Sequence, residues 1–350
     1  MMRTTGPMVI RSVPDAIAAV PYLLGFHPSD CLVVIGHDGP HNMCAVRVDL
    51  PDEDDRAGTA AMAERVASAL GDNDFRRALI LGYGPAERVD TAASTVWDRL
   101  AARGLVLTDA VRVADDRWWS LTCVNTGCCA PDGNPYDGSR TAVAAQAVLA
   151  GKVALADRSE LARSIAPVTG EARAAMTEAT ARAEARLRAW AAEGLTRAEF
   201  HRRMTEEGIA LVSRLRPPSL PFRPGDDDVA WLGVLLTNLR VRDEAWVRID
   251  EDDPDDDIDF WRDVLRRVDE SYATAPACLL AYAAYVGGDG GLANLALERA
   301  DPDYSMANLL GWALEVAAPP SAVRLNMTPE DLAAAHATQE TPPDGKGGNP

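Results

Sequence analysis

Three of the six cysteines fall within one short stretch: Cys123 is followed by Val124-Asn125-Thr126-Gly127 and then by the adjacent pair Cys128-Cys129. Thiols this close support three chemistries. They pack as small apolar side chains in a structural hairpin; they act as a reversible disulfide or reactive thiol; or Cys123, Cys128 and Cys129 ligate a metal, zinc being the ion whose usual spacing comes nearest. Asn125-Thr126-Gly127 supplies turn residues, so a strand ending at Cys123 and another starting at Cys128 are expected to face each other across the loop, within disulfide range. A structural zinc needs four ligands, and on a strand the neighbours Cys128 and Cys129 point to opposite faces. His27 or Cys44 would then have to arrive from a distance.

A second group of reactive types lies near the N-terminus. Gly25-Phe26-His27-Pro28-Ser29-Asp30 places an imidazole, a hydroxyl and a carboxylate on one loop ahead of an apolar run, a position where functional side chains are often presented. The plainer reading has Ser29 and Asp30 bonding the turn and His27 packed or solvated. Arg47 and Asp49 sit at i and i+2 of one strand, share a face, and form an ion pair or reach a common ligand. An enzyme reading draws these together: a pocket formed by the His27 loop, the Arg47/Asp49 strand end and the Cys123 to Cys129 hairpin, with His27 as acid/base, Asp49 or Cys128 as its partner and Asp30 at the rim.

Other motif-like stretches carry little. Gly82-Tyr83-Gly84 has Glu87 where a dinucleotide fingerprint needs its third glycine, and Gly151-Lys152 lacks the earlier glycine of a phosphate loop. The acidic run from Asp250 places Asp255 and Trp261 where a calcium loop needs Gly and Glu, so it reads as a solvated acidic loop. No cofactor is indicated; zinc at the cysteine stretch is the one metal worth carrying forward.

The elements that must position these groups follow from periodicity. Apolar residues at helical spacing from Pro14 to Leu24 give a helix, and Cys31 to Ile35 gives a buried strand. Met43 to Leu50 alternates as a half-buried strand and pairs with the first as a hairpin. A helix from Asp55 to Leu70, a strand from Ala78 to Tyr83, a helix ending at Arg103 and strands at Val106 to Val113 and Trp118 to Cys123 complete an α/β domain, a mixed sheet covered by helices, over residues 1–150. Beyond Lys152 the strand signal ends and an all-α domain occupies residues 151–325. Its helices are Glu171 to Glu193, one opened by a Thr196/Glu199 capping box, Val229 to Val241, Phe260 to Val268, Pro276 to Val286, Leu292 to Ala300 and Ser305 to Val316. Within the first of these, Glu178 to Arg182 and Glu184 to Arg188 read as i,i+4 pairs. Arg216 to Pro224 reads as a linker. Residues 326–350 hold a short helix, capped by Thr328 and opened by Pro329, and a disordered tail from Thr341.

Composition narrows the function classes. The 350 residues carry 53 acidic against 35 basic side chains, a formal charge of −18, which argues against duplex nucleic acid and anionic membranes as partners. The longest apolar run, Ala275 to Val286, falls short of the roughly 20 residues a membrane helix needs. No secretory signal is visible, because Pro14, Asp15 and Pro21 break the N-terminal apolar stretch, so a cytoplasmic protein is expected. There Cys31, Cys44 and Cys278, all within apolar runs, are expected to be inert buried thiols.

Taken together, the stretches Val20-Pro21-Tyr22-Leu23-Leu24-Gly25-Phe26-His27-Pro28-Ser29-Asp30-Cys31-Leu32-Val33-Val34, Arg47-Val48-Asp49-Leu50-Pro51, Trp119-Ser120 with Cys123, and Cys128-Cys129-x-Pro131-x-Gly133 resemble the largely actinobacterial domain of unknown function 4192. Gly288 to Asn294 and Asp301 to Ser305 extend the resemblance to about Pro320. It implies no activity. Leu280 to Leu309 is also similar to part of a tetratricopeptide repeat, through Ala293, Leu297 and Ala300, although Ala277 and Ala281 stand at its Trp and Gly positions. The reading that follows is a cytosolic regulatory or interaction module whose helical domain binds a protein partner. The enzyme described above is the first alternative and a thiol or metal sensor the second.

Overall fold

The computed structural model describes residues 10–40, 43–216 and 223–340. Its described residues gather into two compact units: those of 10–164 with 289–295 and 308–323, and those of 165–288 with 296–307 and 324–340.

The first unit is built on a mixed sheet. Helix α1 (Val13–Leu24) leads into β1 (Cys31–His37) and β2 (Met43–Asp49); α2 (Arg56–Gly71), β3 (Arg77–Tyr83), α3 (Ala86–Ala102), β4 (Val106–Ala114), β5 (Arg117–Ser120) and β6 (Asn134–Pro135) follow. The sheet order is β2-β1-β3-β4-β5-β6. Only β3 and β4 run parallel, and they are the pair that α3 joins, since a parallel pair needs a crossover. Strand alternation sends Leu32, Val34, Ala78, Ile80 and Ala110 to one face, where they pack on Met62, Val66 and Leu70 of α2 and Val89, Val96 and Leu100 of α3. Cys31, Val33, Ile35, Leu81 and Val111 line the other face and are equally buried. The mixed α/β sheet and its hairpin therefore stand as the sequence predicts.

Two short helices, α4 (Ala142–Leu149) and α5 (Arg158–Ser164), close this part of the chain. Neither was expected, and their eight and seven residues explain why: two turns leave little periodicity to read.

The described residues of the second unit contain helices and no strand. They include α6 (Gly170–Ala192), α7 (Arg197–Leu215), α8 (Asp226–Leu235), α9 (Leu239–Trp246), α10 (Asp255–Arg267) and α11 (Thr274–Val286). Helices α12 (Gly290–Leu297) and α13 (Ser305–Glu315) divide between the units, α14 (Pro320–Val323) belongs to the first and α15 (Pro329–Glu340) to the second. The Thr196 capping box forms as expected, its hydroxyl accepting from the Glu199 amide while the Glu199 carboxylate accepts from the Thr196 amide. Thr328 and Asp331 cap α15 in the same reciprocal way.

Some local expectations need correction. The helix expected over Val229 to Val241 is two helices, because Asn238 leaves the helical region and its side chain accepts the Arg240 amide as the cap of α9. The acidic run is not wholly loop: Asp255, Asp256 and Asp257 form the first turn of α10, where carboxylates favour the positive end of the helix. Arg182 turns away from Glu178 to pair with Asp227, whereas Arg188 does reach Glu184. The expected linker lies mostly, and the expected disordered tail wholly, outside the described residues.

Candidate functional site

The candidate residues sort to the two edges of the sheet. On the β2 edge, Arg47 donates to Asp49 at 2.5 Å, and Asp49 stands directly across from Cys31. The Arg47 guanidinium also lies 5.8 Å from the centre of the buried Phe26 ring. Asp30 takes a left-handed backbone (φ 46°) at the start of β1. Its carbonyl accepts the Leu50 amide and its carboxylate meets Arg88 at 3.3 Å. Arg88, which the sequence reading did not single out, donates in addition to the carbonyls of Leu50 and Pro51. It is the pin that ties the end of β2 to the start of β1 and to α3. A lone Arg in the first turns of a helix carries no signal of such a role.

The conspicuous sequence motif of this region is thus largely framework. Gly25 ends α1 in a left-handed conformation (φ 78°). Phe26 is buried and makes a parallel bridge with Leu155, whose carbonyl accepts the His27 amide. His27 itself is exposed, and among the described residues its imidazole has no hydrogen-bond or ion-pair partner. Burial pushes the Cys31 thiol up to about 11, against a smaller lowering from Arg47. Cys44 is likewise raised to about 11 and Cys278 to about 12, both by burial. Cys31 and Cys278 are buried as their apolar settings suggest, whereas Cys44 is only partly buried.

Cys128 belongs to the other edge. Between β2 and β5 stand β1, β3 and β4, so at about 4.8 Å per strand the two edges are roughly 19 Å apart. Asp30, Arg47 and Asp49 come together; Cys128 does not join them, and His27 turns to solvent. An open groove at the His37 end of the sheet, lined by Asp38, Gly71, Asp74, Arg76 and Arg103, includes none of the five.

The cysteine edge differs from expectation in its backbone and exceeds it in convergence. Strand β5 stops at Ser120, and residues 121–133 form the loop between β5 and β6, so no strand begins at Cys128. The Ser120 hydroxyl takes over from the ladder, accepting the amides of Thr122 and Cys123. Asn125 then folds the chain back: its side chain accepts the Gly127 amide, and its carbonyl accepts the amides of both Cys128 and Cys129. Because Cys128 and Cys129 lie on this turn and not on a strand, alternation does not separate them. The Sγ atoms of Cys123 and Cys128 are 3.2 Å apart, those of Cys128 and Cys129 are 3.7 Å apart, and all three lie within 4.8 Å of one another. Neither His27 nor Cys44 joins the group, so the fourth ligand first suggested for a zinc is not supplied by either.

The base of the loop is clamped. Trp119 donates its indole N–H to the Pro131 carbonyl, and its face lies 3.9 Å from the Arg112 guanidinium. Arg117 donates to the carbonyls of Asp132 and Gly133. Gly133 has φ +80°, and a Cβ there would stand 2.5 Å from the Trp119 ring, which fixes glycine at this place. The Trp119, Pro131 and Gly133 positions picked out by resemblance are therefore the clamp that presents the thiols. Within the cluster the thiols are unlike: the Cys123 thiol is lowered by its contacts with Cys128, Asn125 and Cys129, whereas Cys129 is raised to about 12, first by Cys123.

A helix-covered mixed sheet bearing a three-thiol loop on one edge, with a helical region after it, is the class of molecule these features define. The chain belongs to the family described as Domain of unknown function (DUF4192), whose model matches residues 14–321. No curated protein and no solved structure matches it. Among the described residues no helix is long and apolar enough to cross a membrane.

Proposed function

We propose that the protein is a thiol-responsive regulatory module of the cytosol whose input element is the loop between β5 and β6. The observation that carries this reading is the 3.2 Å separation of the Cys123 and Cys128 sulfurs on a solvent-facing loop. Closing that distance to a disulfide's roughly 2.05 Å needs only a small movement. The regulatory role expected from the sequence is retained, and its responsive part moves to the cysteine loop, with a protein partner reading the loop's two states.

A peroxide is the oxidant class that fits an exposed vicinal pair. One thiolate attacks a peroxide oxygen, the O–O bond breaks and a sulfenic acid forms; the second thiol attacks that sulfur and water leaves. Two thiols and one hydrogen peroxide thus give one disulfide and two waters. In a reducing compartment small-molecule thiols restore the pair by exchange.

The test is stoichiometric hydrogen peroxide added to the reduced, metal-free, full-length protein. The expected product is a chain lighter by about 2 Da with Cys123 joined to Cys128 on peptide mapping. A pair that stays reduced, or that oxidises to separate sulfinic acids, overturns the proposal.

A further inference from the structure

The three sulfurs also have the spacing of a ligand set. Thiolates at about 2.3 Å from a shared ion sit about 3.8 Å from each other in tetrahedral geometry. The Cys128–Cys129 separation of 3.7 Å already meets that, and the Cys123–Cys128 pair at 3.2 Å needs only to spread slightly. We infer that Cys123, Cys128 and Cys129 form a three-thiolate site for a soft, thiophilic metal ion, with the fourth coordination position open to solvent.

Three observations carry this. The ligand backbones are fixed, since the Ser120 hydroxyl holds the Cys123 amide and the Asn125 carbonyl holds the other two; a site held this way loses little freedom on binding. Sulfur-only ligation selects soft ions such as zinc(II) or copper(I) over magnesium or calcium. The outer side is uncovered: Cys128 is exposed and Val124 is 98% exposed, so a water or a small soluble thiol can complete the coordination.

The inference rests on the reading of this loop as the input element and gives it two chemical states. With the ion bound, all three thiolates are engaged. Peroxide oxidation of Cys123 and Cys128 leaves Cys129 as sole ligand, and the ion departs.

The experiment uses reduced full-length protein under nitrogen. Zinc(II), copper(I) delivered as a weak chelate, and cobalt(II) are each titrated in competition with a chromophoric chelator, with magnesium as control. One ion per chain is expected, with a thiolate-to-cobalt charge-transfer band that C123S, C128S and C129S each abolish and C44S and H27A preserve. Thermal melts confirm that each variant is folded, and the triple serine variant is compared with metal-free wild type. Failure to bind any of the soft ions with all three thiols titrating as reduced, or binding that survives in the folded triple variant, overturns the inference. Peroxide coupling of Cys123 to Cys128 without metal binding leaves the proposed function standing while this site fails; metal binding without disulfide formation does the reverse.

Discussion

The two edges of the sheet use polar side chains in opposite ways. At the β2 edge, Arg88 and the Asp30 carbonyl spend their hydrogen bonds on neighbouring backbone, and Arg47 bonds Asp49 through one guanidinium nitrogen while its buried Nε has no hydrogen-bond partner among the described residues. At the β5 edge the backbone is satisfied by Ser120 and Asn125, and the thiols are left facing one another. A group consumed by the frame is fixed but unavailable; the loop thiols are fixed through their backbone amides, and beyond one contact from the Cys128 thiol to the Asn125 carbonyl and the Asn125 contact that lowers the Cys123 thiol, their sulfurs face one another. The richest motif in the sequence lies at the first edge, and the proposed chemistry lies at the second.

That contrast can be broken most severely at Gly133. G133A places a side chain on a left-handed backbone against Trp119, and a loss of about 2 to 4 kcal/mol in denaturant unfolding is expected, with a lower yield of the Cys123–Cys128 disulfide. A fully stable variant that still couples the thiols would show that the clamp does not present them. R88A should act on the frame alone. It leaves the Leu50 and Pro51 carbonyls without their donor and is expected to lower stability by about 1 to 3 kcal/mol while peroxide coupling is unchanged.

The thiols raised by burial give an alkaline test of the same division. Cys31 and Cys44 at about 11 and Cys278 at about 12 keep their protons when folded, whereas an unfolded chain releases them at ordinary thiol values. The unfolded state then binds fewer protons, so stability is fully present below about pH 8.5 and falls as pH rises toward 11. Urea midpoints measured across that window should decline, and less steeply in C31A than in wild type. At the small end, C128S and D49N are each expected to shift stability by less than about 0.5 kcal/mol, because Cys128 is exposed and the Asp49 carboxylate is 80% exposed. Only C128S should remove the disulfide.

The sequence carried the sheet well. Continuous apolar runs marked β1 and β3, alternation marked β2, and strands interleaved with helices pointed to a mixed sheet, within which the parallel pair is β3 and β4. It misplaced the end of β5 because Leu121 to Cys123 continue a strand-like composition. What ends the strand there is the Ser120 hydroxyl bonding the next amides, a contact that composition does not report. The Asn125-Thr126-Gly127 turn was visible as turn chemistry, but as the tip of a hairpin. The Asn125 carbonyl instead serves two successive amides and winds Cys128 and Cys129 onto one turn. From that single difference follows the gathering of three sulfurs, which a strand reading had excluded. Arg88 and the Trp119–Gly133 contact are tertiary pairings without a period, and no local pattern announces them.

Strand β6 is two residues long and ends in Pro135, so its outer side has almost no hydrogen-bonding capacity to offer. A sheet edge of that kind resists recruitment by a second chain, and its two residues pair with the backbone of Arg117 and Trp118 beneath. A rearrangement that pulled this strand away would leave a short ladder of unmet amides and carbonyls ready to pair with another molecule. If loss of the Trp119 clamp frees that edge, G133A is expected to self-associate more than wild type as its concentration rises, and its solubility as a function of concentration measures this.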